Sequence, residues 1–238
     1  MKQIVEFKTK KEANNYIGGL SNTSKMPSKS YGLPAAECNV GSKLRKVCGS
    51  VCSNCYAFQR GMYRFDNVTS AQYRRLETIT SPLWVAAMVK AIGSDQYFRW
   101  HDSGDLMSMA HLLAIVEVCK STPKTNHWLP TKEKALIKRY LKEYGRFPEN
   151  LVVRVSAAMV NGKPVSIDGA NSSTVHDGSD YHGSECKAYR TQKNGQIVAI
   201  NEWRNMSASE RKSIDTGYCG DCRACWNHNV DNVSYPQH

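Results

Sequence analysis

Long apolar runs are missing from this sequence. None approaches the roughly 18–20 residues that span a bilayer, and Met1-Lys2-Gln3-Ile4-Val5-Glu6-Phe7 lacks the apolar core of a secretory leader. Both absences predict a cytoplasmic protein with no membrane partner. Acidic residues are scarce beside basic ones, 21 Asp and Glu against 32 Lys and Arg, for a net charge of +11. That excess predicts attraction to polyanions, nucleic acid above all, by steering and counterion release; the alternative is a generally solvated basic surface. No basic tail carries the charge, so a binding face must be assembled by the fold. Repeats and convincing linkers are absent too, which leaves residues 1–238 as a single domain with one substantial core.

What the sequence does have is cysteine, nine residues in a chain without secretory features. At short regular spacings these read as metal ligands rather than disulfides. Cys219-Gly220-Asp221-Cys222-Arg223-Ala224-Cys225 sets three thiols two residues apart. This suits a [4Fe–4S] cluster, where each thiolate takes a different iron. Zinc more often takes two separated Cys-x-x-Cys pairs, and a zinc-binding structural protein stands as an alternative. Cys186 is the nearest upstream candidate for a fourth ligand. The further cysteine and proline of bacterial ferredoxins do not follow, which excludes a simple ferredoxin. Near the N-terminus, Cys48, Cys52 and Cys55 form Cys-x3-Cys-x2-Cys, with Cys38 upstream as a further ligand candidate. One or two iron–sulfur clusters are expected. Cys119 ends an apolar stripe with Leu112, Leu113, Ile115 and Val116 and reads as a core thiol.

Hydropathy patterning divides the chain into a polar segment (1–30), an N-terminal cysteine segment (31–65), a βα core (66–156) and an irregular C-terminal segment (157–238). Asn14-Asn15 and Gly18-Gly19 argue against a helix near the start, and 21–30 reads as loop. Helices are expected at Val68–Thr78, from Ser81-Pro82 onward, and at Leu106–Cys119 and Lys132–Tyr144. Strands are expected at Gln96–Trp100, Asn126–Leu129 and Leu151–Val155. This alternation predicts an α/β fold, either a partial (βα) barrel or an open parallel sheet, with the cysteine segments packed at one end. A strand at Gln196–Ile200 and a helix at Ser207–Ser213 are further expectations.

Ligand groups gather at the C-terminal ends of parallel strands. Trp100-His101-Asp102-Ser103-Gly104-Asp105-Leu106 lies at such an end, making His101, Asp102 and Asp105 candidate catalytic residues; capping of the next helix is the alternative for Asp105. Lys132 and Arg154 sit at the next two strand ends and could bind an anion. Taken singly, Lys132 reads as a solvated first-turn residue and Arg154 as a snorkelling one. In 56–65, aromatic residues alternate with basic ones. That suits stacking on single-stranded nucleic acid, but the preferred reading has Tyr56, Phe58 and Phe65 shielding a cluster.

The Cys-x3-Cys-x2-Cys segment resembles the motif of radical S-adenosylmethionine (SAM) proteins. That resemblance implies a [4Fe–4S] cluster with one open iron that binds SAM, and gives Ser103, Gly104 and Asp105 a part in holding the SAM amino group. A fourth thiolate from Cys38 would instead close the cluster. The chain as a whole resembles the bacteriophage gene product 88 family. The resemblance rests on Lys25-Met26-Pro27, Tyr31-Gly32-Leu33-Pro34-Ala35, Gly49-Ser50-Val51-Cys52-Ser53-Asn54-Cys55-Tyr56-Ala57 and the run from Tyr97 to Leu106. It continues in His127-Trp128-Leu129-Pro130-Thr131-Lys132, the run from Asn150 to Ser156, Cys219 to Trp226, and Val233-Ser234-Tyr235-Pro236. It implies a phage-type protein. The expected function is an iron–sulfur enzyme, radical SAM-like, acting on nucleic acid or nucleotide; the alternative is a cluster-bearing nucleic-acid-binding module.

Overall fold

Thr9 starts the first helix: its hydroxyl accepts the Glu12 amide hydrogen and caps α1 (Lys10–Tyr16). The helix forms despite Asn14 and Asn15 because Ala13 and Ile17 are fully buried, and packing outweighs weak propensity. Gly18 and Gly19, both at positive φ, end it. The computed structural model describes residues 7–23, 26–59, 61–178, 180–186, 188, 190–192, 202, 205–212, 214–216 and 219–237. The expected strand at Gln196–Ile200 lies outside them.

Two short strands follow, β1 (Ser21–Asn22) and β2 (Lys29–Tyr31), where a loop is expected. The cysteine segment holds α2 (Asn39–Leu44) and α3 (Tyr56–Gln59). Next come α4 (Asp66–Thr78), α5 (Trp84–Ile92), β3 (Tyr97–Trp100), α6 (Met109–Ser121), β4 (Asn126–Thr131), α7 (Lys134–Tyr144), β5 (Leu151–Val160) and β6 (Asn171–His176). The last part holds β7 (Ser184–Glu185), β8 (Arg190–Gln192), α8 (Ala208–Lys212), β9 (Ile214–Thr216) and β10 (Asn232–Pro236).

The eight-stranded sheet runs β1-β2-β3-β4-β5-β6-β10-β7, and every pairing except β1 with β2 is parallel. β8 and β9 pair separately. From β2 to β6 the spatial order is the chain order. Crossovers of one hand in one direction put the helices on one face, an order that fits an open parallel sheet. On that face Phe98, Trp100, Leu129, Val153 and Val155 pack against Ala13, Trp84, Met88, Leu112, Ile115 and Ile137. Cys119 is buried there, as its stripe predicts.

Strand side chains alternate between faces. The residues between the core positions therefore point to the other side: Arg99 on β3, Trp128 and Pro130 on β4, Arg154 and Ser156 on β5, Tyr235 on β10. This second face is covered by the two cysteine segments. Trp226 donates its ring N–H to the Phe98 carbonyl at 3.0 Å and meets Tyr97 and Trp128 edge-on. The α/β parallel-sheet class is as the sequence predicts.

Candidate functional site

A cavity of about 300 Å³ opens on the second face, at the C-terminal ends of the parallel strands. Six neighbouring strands, β2, β3, β4, β5, β6 and β10, contribute to it, in their own residues or in the loops that leave them: Cys38, Cys52 and Cys55 after β2, His101 to Asp105 after β3, Lys132 after β4, Ser156 and Ala157 on β5, Val175 on β6 and Tyr235 on β10. This is where parallel sheets present ligands.

The local sequence shapes the cysteine wall. Ser50 accepts the Ser53 amide and donates to the Leu44 carbonyl, which sets the turn carrying Cys52. The Val160 amide donates to the Gly49 carbonyl and ties that turn to β5. Gly41 faces the thiols. A Cβ there would stand 2.9 Å from Cys38 Cβ, 3.5 Å from Cys38 Sγ and 3.7 Å from Cys52 Sγ. Both sulfurs therefore lie against a backbone that only glycine leaves open. Burial pushes the Cys38 thiol up to about 12, with Asp105, Cys55 and Cys52 adding to the rise. Burial raises Cys52 as well, against the pull of Lys132. Cys48 is exposed and does not line the cavity. The structure thus groups Cys38, Cys52 and Cys55, not the Cys-x3-Cys-x2-Cys triad.

The strand-end residues divide into scaffold and lining. Asp105 does not cap α6; Ser108 does, accepting the His111 amide at 3.1 Å. Instead Asp105 joins two strand ends. Its Oδ1 accepts from Thr131 Oγ1 at 2.6 Å and Leu106 N at 2.7 Å, and its Oδ2 accepts from Lys132 N at 2.8 Å. Burial lifts its pKa to about 6, against these hydrogen bonds. Both carboxylate oxygens are engaged within the scaffold. Ser103 is likewise engaged, accepting from Gln72 and donating to the Leu33 carbonyl. Gly104, at φ 73°, lets the chain pass Leu33, whose carbonyl oxygen would stand 2.7 Å from a Cβ there. Asp102 accepts the Tyr63 hydroxyl hydrogen on Oδ2 at 3.0 Å, and its Oδ1 has no hydrogen-bond partner. Tyr56 donates to the Asp102 carbonyl at 2.6 Å.

His101 adopts φ 52°, a left-handed conformation that costs a side-chain-bearing residue about 1–2 kcal/mol. Its ring is buried against His111, 5.5 Å between centroids, with neither nitrogen in a hydrogen bond of good geometry. Burial, then His111 and Arg99, push its pKa well below the ordinary histidine value. It is a neutral ring lining the cavity.

The basic residues depart from their sequence readings. Lys132 precedes α7 rather than opening it, and its ammonium donates to the Ala157 carbonyl at 2.7 Å beside the cysteines. Burial lowers its pKa while Cys52, Asp105, Cys55 and Cys38 hold it up. Arg154 does not snorkel: it is fully buried, with five hydrogen bonds to backbone carbonyls. Arg99 lies over the Trp128 ring at 4.5 Å. Two residues have a part in the site that the sequence does not assign them. Glu133 accepts the Val40 amide and steadies the segment after Cys38, and Tyr235 reaches the second cysteine set. Glu133 sits in no motif, and Tyr235 falls in the Val233-Ser234-Tyr235-Pro236 run, which by itself gives it no role.

That second set lies beside the cavity. The β7–β10 register sets Glu185 opposite Ser234, and the Cys186 amide donates to the Ser234 carbonyl at 2.8 Å. The next residue, Tyr235, has its hydroxyl 3.1 Å from Cys225 Sγ. Burial pushes Cys186 up to about 12, with Cys225, Cys219 and Cys222 adding to it. Among the described residues no three histidine, cysteine or acidic side chains stand close enough to hold one metal ion. No described helix is long and apolar enough to cross a membrane.

The fold and site define an α/β protein with a cysteine-walled cavity at the ends of a parallel sheet. The chain belongs to the bacteriophage Gene product 88 family, whose sequence pattern it matches over residues 3–228. No curated protein and no solved structure matches it.

Proposed function

We propose that the cavity is the site of an iron–sulfur enzyme of radical SAM type, with a [4Fe–4S] cluster held by Cys38, Cys52 and Cys55. The observation that carries this reading is the placement of three thiols, and no fourth cysteine among the cavity's lining, at one wall of a strand-end pocket. Three thiolates would leave one iron of such a cluster without a protein ligand. A zinc ion requires its ligands to converge on one point. A cubane takes a wider set, because each thiolate binds a different iron. When bound, such a cluster supplies the electron for reductive cleavage of SAM.

The charge pattern supports an anionic occupant. Arg99, Lys132 and Arg154 line or underlie the second face, and among the described residues none forms an ion pair with a carboxylate. Buried charges are ordinarily paired, and a thiolate-bound cluster supplies negative charge. Asp105 and Thr131 hold the cavity's rim in shape, Asp102 offers a carboxylate at its edge, and Tyr56 and Trp128 close its sides. The volume suits a nucleotide-sized molecule better than a strand; a base within a strand would have to be turned out to enter.

Anaerobic reconstitution tests this reading. Iron and sulfide should be taken up, the reduced cluster's EPR signal should change on adding SAM, and dithionite should release 5′-deoxyadenosine. Full iron loading with no SAM response would remove it.

A second reading, nucleic-acid binding, is favoured by the surface beside the cysteine segment. Phe58, Met62 and Phe65 are exposed, and Arg45 stacks on Phe58 at 4.0 Å. Tyr56 shields the cavity, but Phe58 and Phe65 do not. Exposed aromatics beside basic residues suit stacking on unpaired bases.

A further inference from the structure

Independently of the cavity, we infer that Cys186, Cys219, Cys222 and Cys225 hold a second iron–sulfur cluster, closed by four thiolates, with Arg154 and Tyr235 as its positioning residues. Arg154 is the strongest observation. Its five donors meet five main-chain oxygens: Nε to Cys225, Nη1 to Ser172 and Val230, Nη2 to Ala224 and Asn227, at 2.8 to 3.1 Å. Three of these carbonyls belong to the turn that carries Cys225. The guanidinium therefore fixes that turn's shape from beneath, and among the described residues it forms no ion pair, the Asp231 carboxylate acting on it only from a distance. A turn made of main-chain oxygens does not neutralise a buried cation. A four-thiolate cluster, which carries net negative charge, does.

The cysteines are gathered from three directions. Cys186 comes from the edge strand beside β10, bound through its amide to Ser234. Cys219 and Cys222 are joined by the Cys222 amide donating to the Cys219 carbonyl at 2.8 Å, and both, with Cys225, lie near enough to Cys186 to act on its thiol. Cys225 lies under the Tyr235 hydroxyl. With a thiolate at Cys225, that hydroxyl becomes a hydrogen-bond donor to a cluster sulfur, one of the means by which a protein sets a cluster's potential. Tyr235 also lines the cavity, so the same side chain touches both sites.

Full-length wild type, Cys186→Ser, Cys225→Ser, Tyr235→Phe and Arg154→Lys should be reconstituted anaerobically. Iron, sulfide and zinc are then counted and the clusters titrated by EPR. Wild type should hold about eight irons per chain, and each cysteine variant about half. The signal remaining in the cysteine variants should be that of the cavity cluster. Tyr235→Phe should keep its iron and titrate at a more negative potential, a shift that a purely structural tyrosine would not produce. Arg154→Lys should lose the second cluster's iron in part while the fold persists by circular dichroism. Unchanged iron in both cysteine variants, zinc in place of iron, or equal potentials in Tyr235→Phe and wild type would overturn the inference. Absence of SAM cleavage beside iron loss in the cysteine variants would count against the cavity reading and leave this one standing.

Discussion

Glu133 Oε1 accepts the Val40 amide hydrogen at 2.9 Å, across 93 residues of sequence. The bond joins the exit of β4 to the first turn of α2, directly after Cys38. Glu133 is buried, so the bond is made out of water and is stronger for it. Glu133→Ala leaves the Val40 amide without an acceptor and should cost about 1–3 kcal/mol, the range for a buried group left unsatisfied, and should release iron from the cavity site more readily. Glu133→Gln retains an acceptor and should behave close to wild type. Urea unfolding and iron retention measured on both variants check this; equal behaviour of the two would refute it.

The grouping of cysteines makes the sharpest distinction. Cys38→Ser, Cys52→Ser and Cys55→Ser should each abolish the cavity cluster, whereas Cys48→Ser should leave its iron and absorption unchanged. Gly41→Ala should act like a mild version of the first three, since its methyl would meet Cys38 Cβ at 2.9 Å; overpacking of this kind costs about 1–3 kcal/mol. Iron loss in Cys48→Ser would restore the Cys-x3-Cys-x2-Cys triad.

Three buried histidines give stability a pH dependence, His101 with a pKa pushed well below the ordinary value among them, and Asp105, raised to about 6 by burial, opposes them in part. Burial lowers His111 to about 4 and His127 to about 3. His127 Nε2 lies 2.8 Å from Thr122 Oγ1, and His111 Nδ1 accepts weakly from the Met107 amide. Their unfolded value is about 6.5. The folded state resists protonation where the unfolded chain accepts it, so their contribution is fully present above about pH 6.5 and is lost as pH falls toward the folded values. Each histidine steepens the loss by up to about 1.4 kcal/mol per pH unit. Urea unfolding at pH 7.5 and 5.5 should show lower stability at 5.5, and His127→Gln should flatten the difference. Equal stability at the two pH values would contradict the assignment.

The charge balance and the exposed aromatics predict binding to single-stranded nucleic acid that weakens steeply with salt. Phe58→Ala with Phe65→Ala should weaken it by about 1–3 kcal/mol per stacked base lost, with iron content unaffected. Fluorescence anisotropy with a labelled oligonucleotide, across a salt series, measures both. No binding at low ionic strength would remove the nucleic-acid partner.

The run from β3 to β5 was legible because apolar residues recur there at helix or strand spacing, and that pattern survives without knowledge of the partner. α1 was not legible. Asn14, Asn15 and the glycines dominate its local character, while Ala13 and Ile17 are held by α5 and β2 from elsewhere in the chain. Asp105 was visible as a strand-end carboxylate, but its occupation by Thr131 and Lys132 depends on the next strand lying alongside. Arg154 read as an anion-binding or snorkelling strand-end residue because none of its five acceptors is near it in sequence.

The sequence by itself determined the parallel α/β class, the location of polar groups at strand ends, and the supply of cysteines at both ends of the chain. These follow from periodicity and residue type, which are local. Only the tertiary structure decided which cysteines stand together. Spacing allows Cys48 or Cys38 equally well. The choice falls to Gly41 and Glu133, which set the Cys38 turn against Cys52, and to the bonds of Ser50 and Gly49, which leave Cys48 at the surface. The same holds for Tyr235 and Cys225, ten residues apart in sequence: β10 and the turn held by Arg154 put hydroxyl and thiol within 3.1 Å, because a sheet register fixes one and five carbonyl bonds fix the other.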